Sequence, residues 1–231
     1  MLIAEDLLLL LTADDTGKLA ARGTNMKMAL GGALLAELAL MRRVDLAGPD
    51  ERVKERRLIV RDAGPTGDSM LDEALATVGR KEGKKAQNVV AALGKRTRVR
   101  LYERLAEIGL LRAEKGRILG IFPTRRWPAE HTEHEASVRA GLVTALRHGE
   151  TTDARTRALL SLLHALRAVH KAVDPNSVGL SKAELKASAK RIAEGDWVGK
   201  AVRSAIDTQT AIIAASSAAS SSGHGGGGGG S

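Results

Sequence analysis

Residues 29–40 read ALGGALLAELAL, with one charge, Glu37, among twelve otherwise apolar or small residues. A helix that is apolar nearly all round belongs inside a protein, because only burial on every side keeps that surface out of water. Gly31 and Gly32 each give up about 1 kcal/mol of helix propensity relative to alanine, so another backbone or a ligand is expected to come close there. The run falls short of the ~20 apolar residues that span a bilayer, so its packing partner is expected to be protein. With its flanks the central helix is predicted over 26–43.

On the N-terminal side, 4–12 reads as a short helix with Glu5 and Asp6 in its first turn, closed by the turn Asp14-Asp15-Thr16-Gly17. On the C-terminal side, 44–46 and 57–61 form a hairpin about Ala47-Gly48-Pro49-Asp50. Asp68 or Ser69 then caps a helix over 69–78. A short helix over 86–93 and an amphipathic one over 97–108 lead to a second hairpin, 110–113 and 118–122 about Glu114-Lys115-Gly116-Arg117. The order helix then hairpin occurs twice, and LLAELALMRRVDL and YERLAEIGLLRAE share a spacing of Leu, Ala, Glu and a closing apolar pair. That repetition suggests two winged-helix-like units. From 132 onward only helices are predicted, over 132–147, 153–170, 181–194 and 196–216, with a break at Asp174-Pro175-Asn176. The expected fold is mainly α: a single globular helical domain over 1–216 with two short β-hairpins. The Ser/Gly-rich tail 217–231 is expected to be disordered, since it cannot bury enough apolar area to offset its chain entropy.

The composition narrows the function. A hydrophobic share of 43% in 231 residues suffices for a real core, and a formal charge of +9 points to a polyanionic partner, nucleic acid or an anionic membrane surface. Tyr102, Phe122, Trp127 and Trp197 are the whole aromatic complement, too few for a module that stacks single-stranded bases on exposed rings. With no cysteine, disulfides, thiolate catalysis and cysteine-based zinc sites are all excluded. The start Met1-Leu2-Ile3-Ala4-Glu5-Asp6 lacks the basic region of a secretory signal, so an intracellular protein is expected.

Most of the charge is local: between Arg80 and Arg100 eight basic residues face one acid, Glu82, a net +7 in 21 residues. Helical spacing puts Arg96, Arg100, Glu103, Arg104 and Glu107 on one side of the 97–108 helix, as a solvated face with i,i+3 ion pairs. Lys95 and Arg98 fall on the side of Leu101, Tyr102, Leu105 and Ile108, at the end where free backbone N–H groups and the helix dipole favour an anion. Two readings stay open for this pair: a phosphate site, or aliphatic stems laid on the core with the charged heads in solvent. The segment Phe122-Pro123-Thr124-Arg125-Arg126-Trp127 combines two arginines with an indole, the make-up of a membrane-contacting tip or a DNA-binding wing, or of a tryptophan that simply covers the core.

Chemistry is harder to find. His131 and His134 stand i,i+3 among carboxylates but open a helix, where acids are favoured in any case, so no metal is expected. His164 and His170 are six apart and cannot share a helical face. There is no phosphate loop, no GxSxG and no nucleophile–base pair, so neither an enzyme nor a cofactor is expected.

Several segments together resemble the Golgi phosphoprotein 3 family, including its bacterial members. They are AEDLLLLLTADDTG, ALGGALLAELALMRRVDL, DAGPTGDSMLDEAL, AQNVVAALGK, RLAEIGLLRAEKGRILGIF and DARTRALLSLLHAL, over roughly residues 1–215. The resemblance implies a mostly helical, non-enzymatic peripheral membrane protein on the cytoplasmic face of a membrane. It further implies binding of phosphatidylinositol 4-phosphate or another phosphoinositide through a basic pocket. The family's two cationic positions ahead of the ERLAEIGLL-like helix fall on Lys95 and Arg98. The family's tryptophan and arginine, nine residues apart, fall on Arg22 and Gly31, so Arg22 restores charge but no stacking surface. The family's hydrophobic hairpin, linked to membrane insertion and self-association, corresponds to the segment around Ile118, Ile121 and Phe122, with Trp127 beside it. Two rivals remain: a winged-helix-like DNA-binding protein with Arg125 and Arg126 on its wing, and a scaffold that homo-oligomerises through the hairpin and binds protein clients.

Overall fold

The computed structural model describes residues 1–13, 17–19, 23–112, 114–118, 122–127 and 133–221. In chain order its elements are α1 (Ile3–Leu10), α2 (Gly23–Leu40), β1 (Val44–Leu46), β2 (Leu58–Val60), α3 (Ser69–Gly79), a 3-10 turn (Ala86–Asn88), α4 (Val90–Leu93) and α5 (Thr97–Glu107). Then come β3 (Glu114–Ile118), β4 (Phe122–Arg126), α6 (Glu133–His148), α7 (Ala154–Ala165), α8 (Val169–Ala172), α9 (Pro175–Val178), α10 (Lys182–Ile192) and α11 (Trp197–Ser221). The chain is mainly helical, and each of the two antiparallel hairpins follows a helix.

The central element is α2, which touches α1, α3, α4, α5, α7, α11 and β1. Leu30, Leu34, Leu35 and Leu38 cover one side of the helix and Ala29, Ala33 and Ala36 the other, and all are buried, as an all-round apolar surface requires. The two glycines are where its neighbours come closest. A Cβ built on Gly31 would lie 1.9 Å from the backbone oxygen of Val90, and one on Gly32 would lie 2.2 Å from a Val202 methyl. Gly94 completes the first contact from the other side, since its Cβ would sit 1.8 Å from the backbone oxygen of Lys27. Helices α2 and α4 thus meet backbone to backbone through paired glycines.

The sequence reading needs correction at several ends. Helix α2 stops at Leu40, because Arg42 takes a left-handed φ of 58° that turns the chain into β1. In the second hairpin Glu114–Ile118 is a strand, pairing from Glu114↔Arg126 to Ile118↔Phe122. The Lys-Gly pair expected to turn the chain there is instead extended. Leu119, Gly120 and Ile121 separate the strands and lie outside the described residues. The helix expected over 153–170 ends at Ala165: Arg167, at φ 56°, redirects the chain into the separate α8. Pro175 does break the chain but also starts α9 at a first-turn position, with Asp174 as its cap, where a missing N–H costs nothing. Finally, 217–221, expected to be disordered, continue α11 to Ser221, since Ala and Ser add to an existing helix without paying for a new nucleus.

The acids at the start of α1 are buried, not solvated. Glu5 meets Arg104 at 3.1 Å, while Asp6 meets Arg155 at 3.2 Å and His134 at 2.8 Å. Arg104 also reaches Asp68 at 2.8 Å, so the arginine assigned to a solvated face joins α5 to α1 and α3. Asp68 caps α3 as expected, accepting from the Met70 and Leu71 amides at 2.8 and 3.2 Å. Asp68→Ala is expected to lower the unfolding free energy by about 1–2 kcal/mol. Asp68→Asn, which keeps an accepting oxygen for the cap, is expected to lose less. Equal losses in urea titrations would place the effect in the Arg104 pair alone.

Candidate functional site

The close contact of α4 with α2 decides where the basic residues go. After Gly94 the chain cannot continue α4, and Arg96 takes a left-handed conformation (φ 62°, ψ −2°) as N-cap of α5, with no side chain capping that end. The turn leaves Lys95, Arg96 and Arg100 lining a cleft of about 280 Å³ between α2, α3, α4 and α5, above a floor that includes Leu34 and Met70. Glu73 stands in the same cleft and holds Arg100, with Nη2 to Oε1 at 3.1 Å. Lys95 and Arg96 make no ion pair among the described residues. Three cations against one carboxylate, at an uncapped helix N-terminus, leave a net positive site with backbone N–H groups to spare.

Lys95 and Arg98 do not share one face. Helical spacing cannot be extended back to Lys95, because α5 begins at Thr97 after the left-handed Arg96. Lys95 therefore lines the cleft while Arg98, exposed on the first turn, lies on the Tyr102 side. Burial pushes the Tyr102 phenol above its ordinary range, against the Thr12 hydroxyl and the Arg98 charge, which both work to lower it. Like Lys95, Arg98 has no ion pair among the described residues. Arg22 and Ile121 lie outside the described residues, as do the side chains of Ile118 and Phe122, whose backbones pair at the end of the hairpin. At Gly31, where the resemblance implied an arginine in other members, the α4 backbone fills the space a side chain would need.

Two apolar assignments are corrected. Trp127 is only 7% exposed and stacks on Tyr102 with centroids 5.1 Å apart and planes at 4°. It belongs to the core and is not an exposed membrane or oligomer contact, because the two rings bury each other's faces. Ile108, placed on the core side by spacing, is 57% exposed, since α5 has ended by then and Ile108 is its C-cap. Conversely, Arg96 and Arg100 line the cleft although spacing put them on the solvated face. The signal that could have shown this is Gly94, a glycine directly ahead of the basic run. Val99, beside Arg98, is 49% exposed.

His134 is taken up by Asp6, and no group of three or more His, Asp or Glu among the described residues is arranged to hold a metal. No described helix is long and apolar enough to cross a membrane. A family model described as Golgi phosphoprotein 3 (GPP34) matches residues 3–209, and the chain belongs to that family.

Proposed function

We propose that this protein is a non-enzymatic peripheral membrane protein whose α4–α5 cleft binds the phosphate of an anionic lipid headgroup, phosphatidylinositol 4-phosphate or another phosphoinositide. The observation that carries this reading is the pair Lys95 and Arg96, both without a carboxylate partner, at the uncapped start of α5. Arg98 and the half-exposed Val99 beside it give the same end of the helix a third charge unpaired among the described residues and an apolar group to set against a bilayer interface. Each basic side chain near an anionic surface contributes about 1 kcal/mol. Lys95, Arg96 and Arg98 together therefore supply binding that is useful, reversible and weakened by salt. Arg22 and Gly31 stand where the resemblance gives other members a tryptophan and an arginine, so charge is kept and the stacking surface is lost, which favours contact driven by headgroup charge over recognition of one lipid alone.

Lys95→Ala combined with Arg96→Ala, the two cleft cations unpaired among the described residues, is expected to weaken co-sedimentation with phosphoinositide-containing vesicles about thirtyfold, the equivalent of two such contacts, with an unchanged circular dichroism spectrum. Unaltered pelleting would remove the cleft from consideration. The same assay separates the nucleic-acid rival. Duplex DNA that displaces vesicles at matched ionic strength, with sequence preference, would favour a DNA-binding protein.

A further inference from the structure

His164 and His170 cannot lie on one face of a continuous helix, yet they line one cavity. The break at Arg167 explains this: its left-handed turn ends α7 and folds α8 back, so residues on either side of the break face the same space. Helix α10 closes that space with Lys182 and Lys186, one turn apart, and Leu185 between them at the floor. The resulting cavity, about 230 Å³, is lined by His164, Arg167, His170, Lys182 and Lys186 as its polar residues, and by no carboxylate. The nearest acid on α10, Glu184, is turned back to cap its own helix through the Ser181 amide at 2.8 Å. Arg167, Lys182 and Lys186 make no ion pair among the described residues.

Two further cations stand behind this rim. Arg203 of α11 donates to the His164 backbone oxygen at 2.7 Å, and Lys190 lies one turn beyond Lys186. Burial first, then the charges of Arg203, Lys186 and Lys190, hold the His164 imidazole below its ordinary range. Burial and the Arg167 charge likewise lower the Arg203 guanidinium, against the pull of Asp207. Like charges gathered round a concave site repel one another, and that repulsion is relieved by a bound anion.

We propose that the cavity between α7, α8 and α10 is a second anion site, distinct from the α4–α5 cleft, that takes a phosphate ester. At about 230 Å³ it is smaller than the roughly 300–1,000 Å³ of sites for drug-sized ligands. It takes one phosphate group and the atoms next to it, with the rest of the molecule outside its mouth. Arg167 supplies a planar fork for phosphate oxygens, with the two lysines as point charges around it. The phosphate can belong to a lipid headgroup or to a soluble ester; the chemistry at the cavity is the same.

The test uses the full chain carrying Lys95→Ala and Arg96→Ala, so that the first cleft is weakened, titrated calorimetrically with inositol 1,4,5-trisphosphate. Adding Lys182→Gln and Lys186→Gln is expected to raise Kd about tenfold. Both lysines are exposed on α10, and glutamine has nearly the helix propensity of lysine, so the fold is retained. Arg52→Gln with Lys54→Gln removes the same charge from another exposed site and is expected to leave Kd within twofold. No binding by the background protein at millimolar trisphosphate, or a loss no larger than that of the Arg52 and Lys54 control, overturns the proposal. Phosphatidylcholine vesicles carrying a phosphatidylinositol bisphosphate then identify the source. Pelleting that falls with the α10 substitutions means a headgroup reaches the cavity. Pelleting indifferent to them, alongside weakened trisphosphate binding, means the ligand is a soluble ester.

Discussion

Gly31→Ala is expected to lower the unfolding free energy by about 3 kcal/mol or more and to weaken vesicle binding at the same time. The new methyl would stand 1.9 Å from the Val90 backbone oxygen and 2.7 Å from the Gly94 amide nitrogen. Neither is the end of a flexible side chain that can swing away. Alanine gains up to about 1 kcal/mol of helix propensity, but overpacking against a fixed neighbour commonly costs 1–3 kcal/mol and more where nothing yields. For a chain of this length the net loss corresponds to a fall in Tm of about 6–12 °C. Whatever relief occurs must come from α4 moving away, and α4 carries Lys95 and Arg96 at its end, so the cleft is displaced with it. Gly48→Ala, with nothing within 4 Å of the new Cβ, is the matched control and is expected to change stability by no more than about 0.5 kcal/mol. A Gly31→Ala protein as stable as the control would mean that α2 and α4 do not meet as described.

The glycines show why the fold was largely legible in the sequence. An apolar run with no polar face can only be a buried helix, and glycine inside it has few explanations other than close approach. Both inferences depend on local residues, and both agree with the packing of α2 against α4 and α11. The ends of elements were less legible. Arg42, Arg96 and Arg167 each adopt positive φ without the glycine that usually marks such a turn, and nothing in an arginine announces it. The missed break at Arg167 hid the α7–α8–α10 cavity, and the missed turn at Arg96 gave the wrong partner to Lys95.

The cleft itself was half legible for a related reason. Charge density between Arg80 and Arg100 identifies the segment, because it is a property of composition. Which of those cations carry a carboxylate is a tertiary fact. Arg100 is held by Glu73 from α3, 27 residues away, and Arg104 by Glu5 and Asp68. Rules for i,i+3 pairs look only within one helix, so they assigned both arginines to solvent. Lys95, Arg96 and Arg98 remain available to a ligand because no acid elsewhere in the described fold reaches them.

Arg155→Met is expected to be the most damaging single change among the charged residues, costing about 3–5 kcal/mol. Arg155 binds Glu37 at 2.9 Å and Asp6 at 3.2 Å and donates to the Met1 backbone oxygen, joining α7 to α1 and α2. Burial works against its charge, and the carboxylates of Glu37 and Asp6 together outweigh that, leaving the guanidinium above its ordinary range. The Asp6 side chain is 2% exposed, so without Arg155 it keeps only His134. The Arg155 side chain is itself 34% exposed, and solvent screening places the expected loss towards the lower end of that range. The cause can be separated from mere loss of contacts. Most of the cost is the desolvation of carboxylates left without a partner, so removing those charges as well should recover it. Arg155→Met with Asp6→Leu and Glu37→Gln is therefore expected to be more stable than Arg155→Met alone by about 2 kcal/mol. The glutamine oxygen can still accept from the Ile3 amide, which now donates to Glu37 at 2.6 Å. Urea unfolding at neutral pH decides the matter. If the triple variant is less stable than the single one, Arg155 stabilises the domain through packing and geometry, and the unpaired-charge account is wrong.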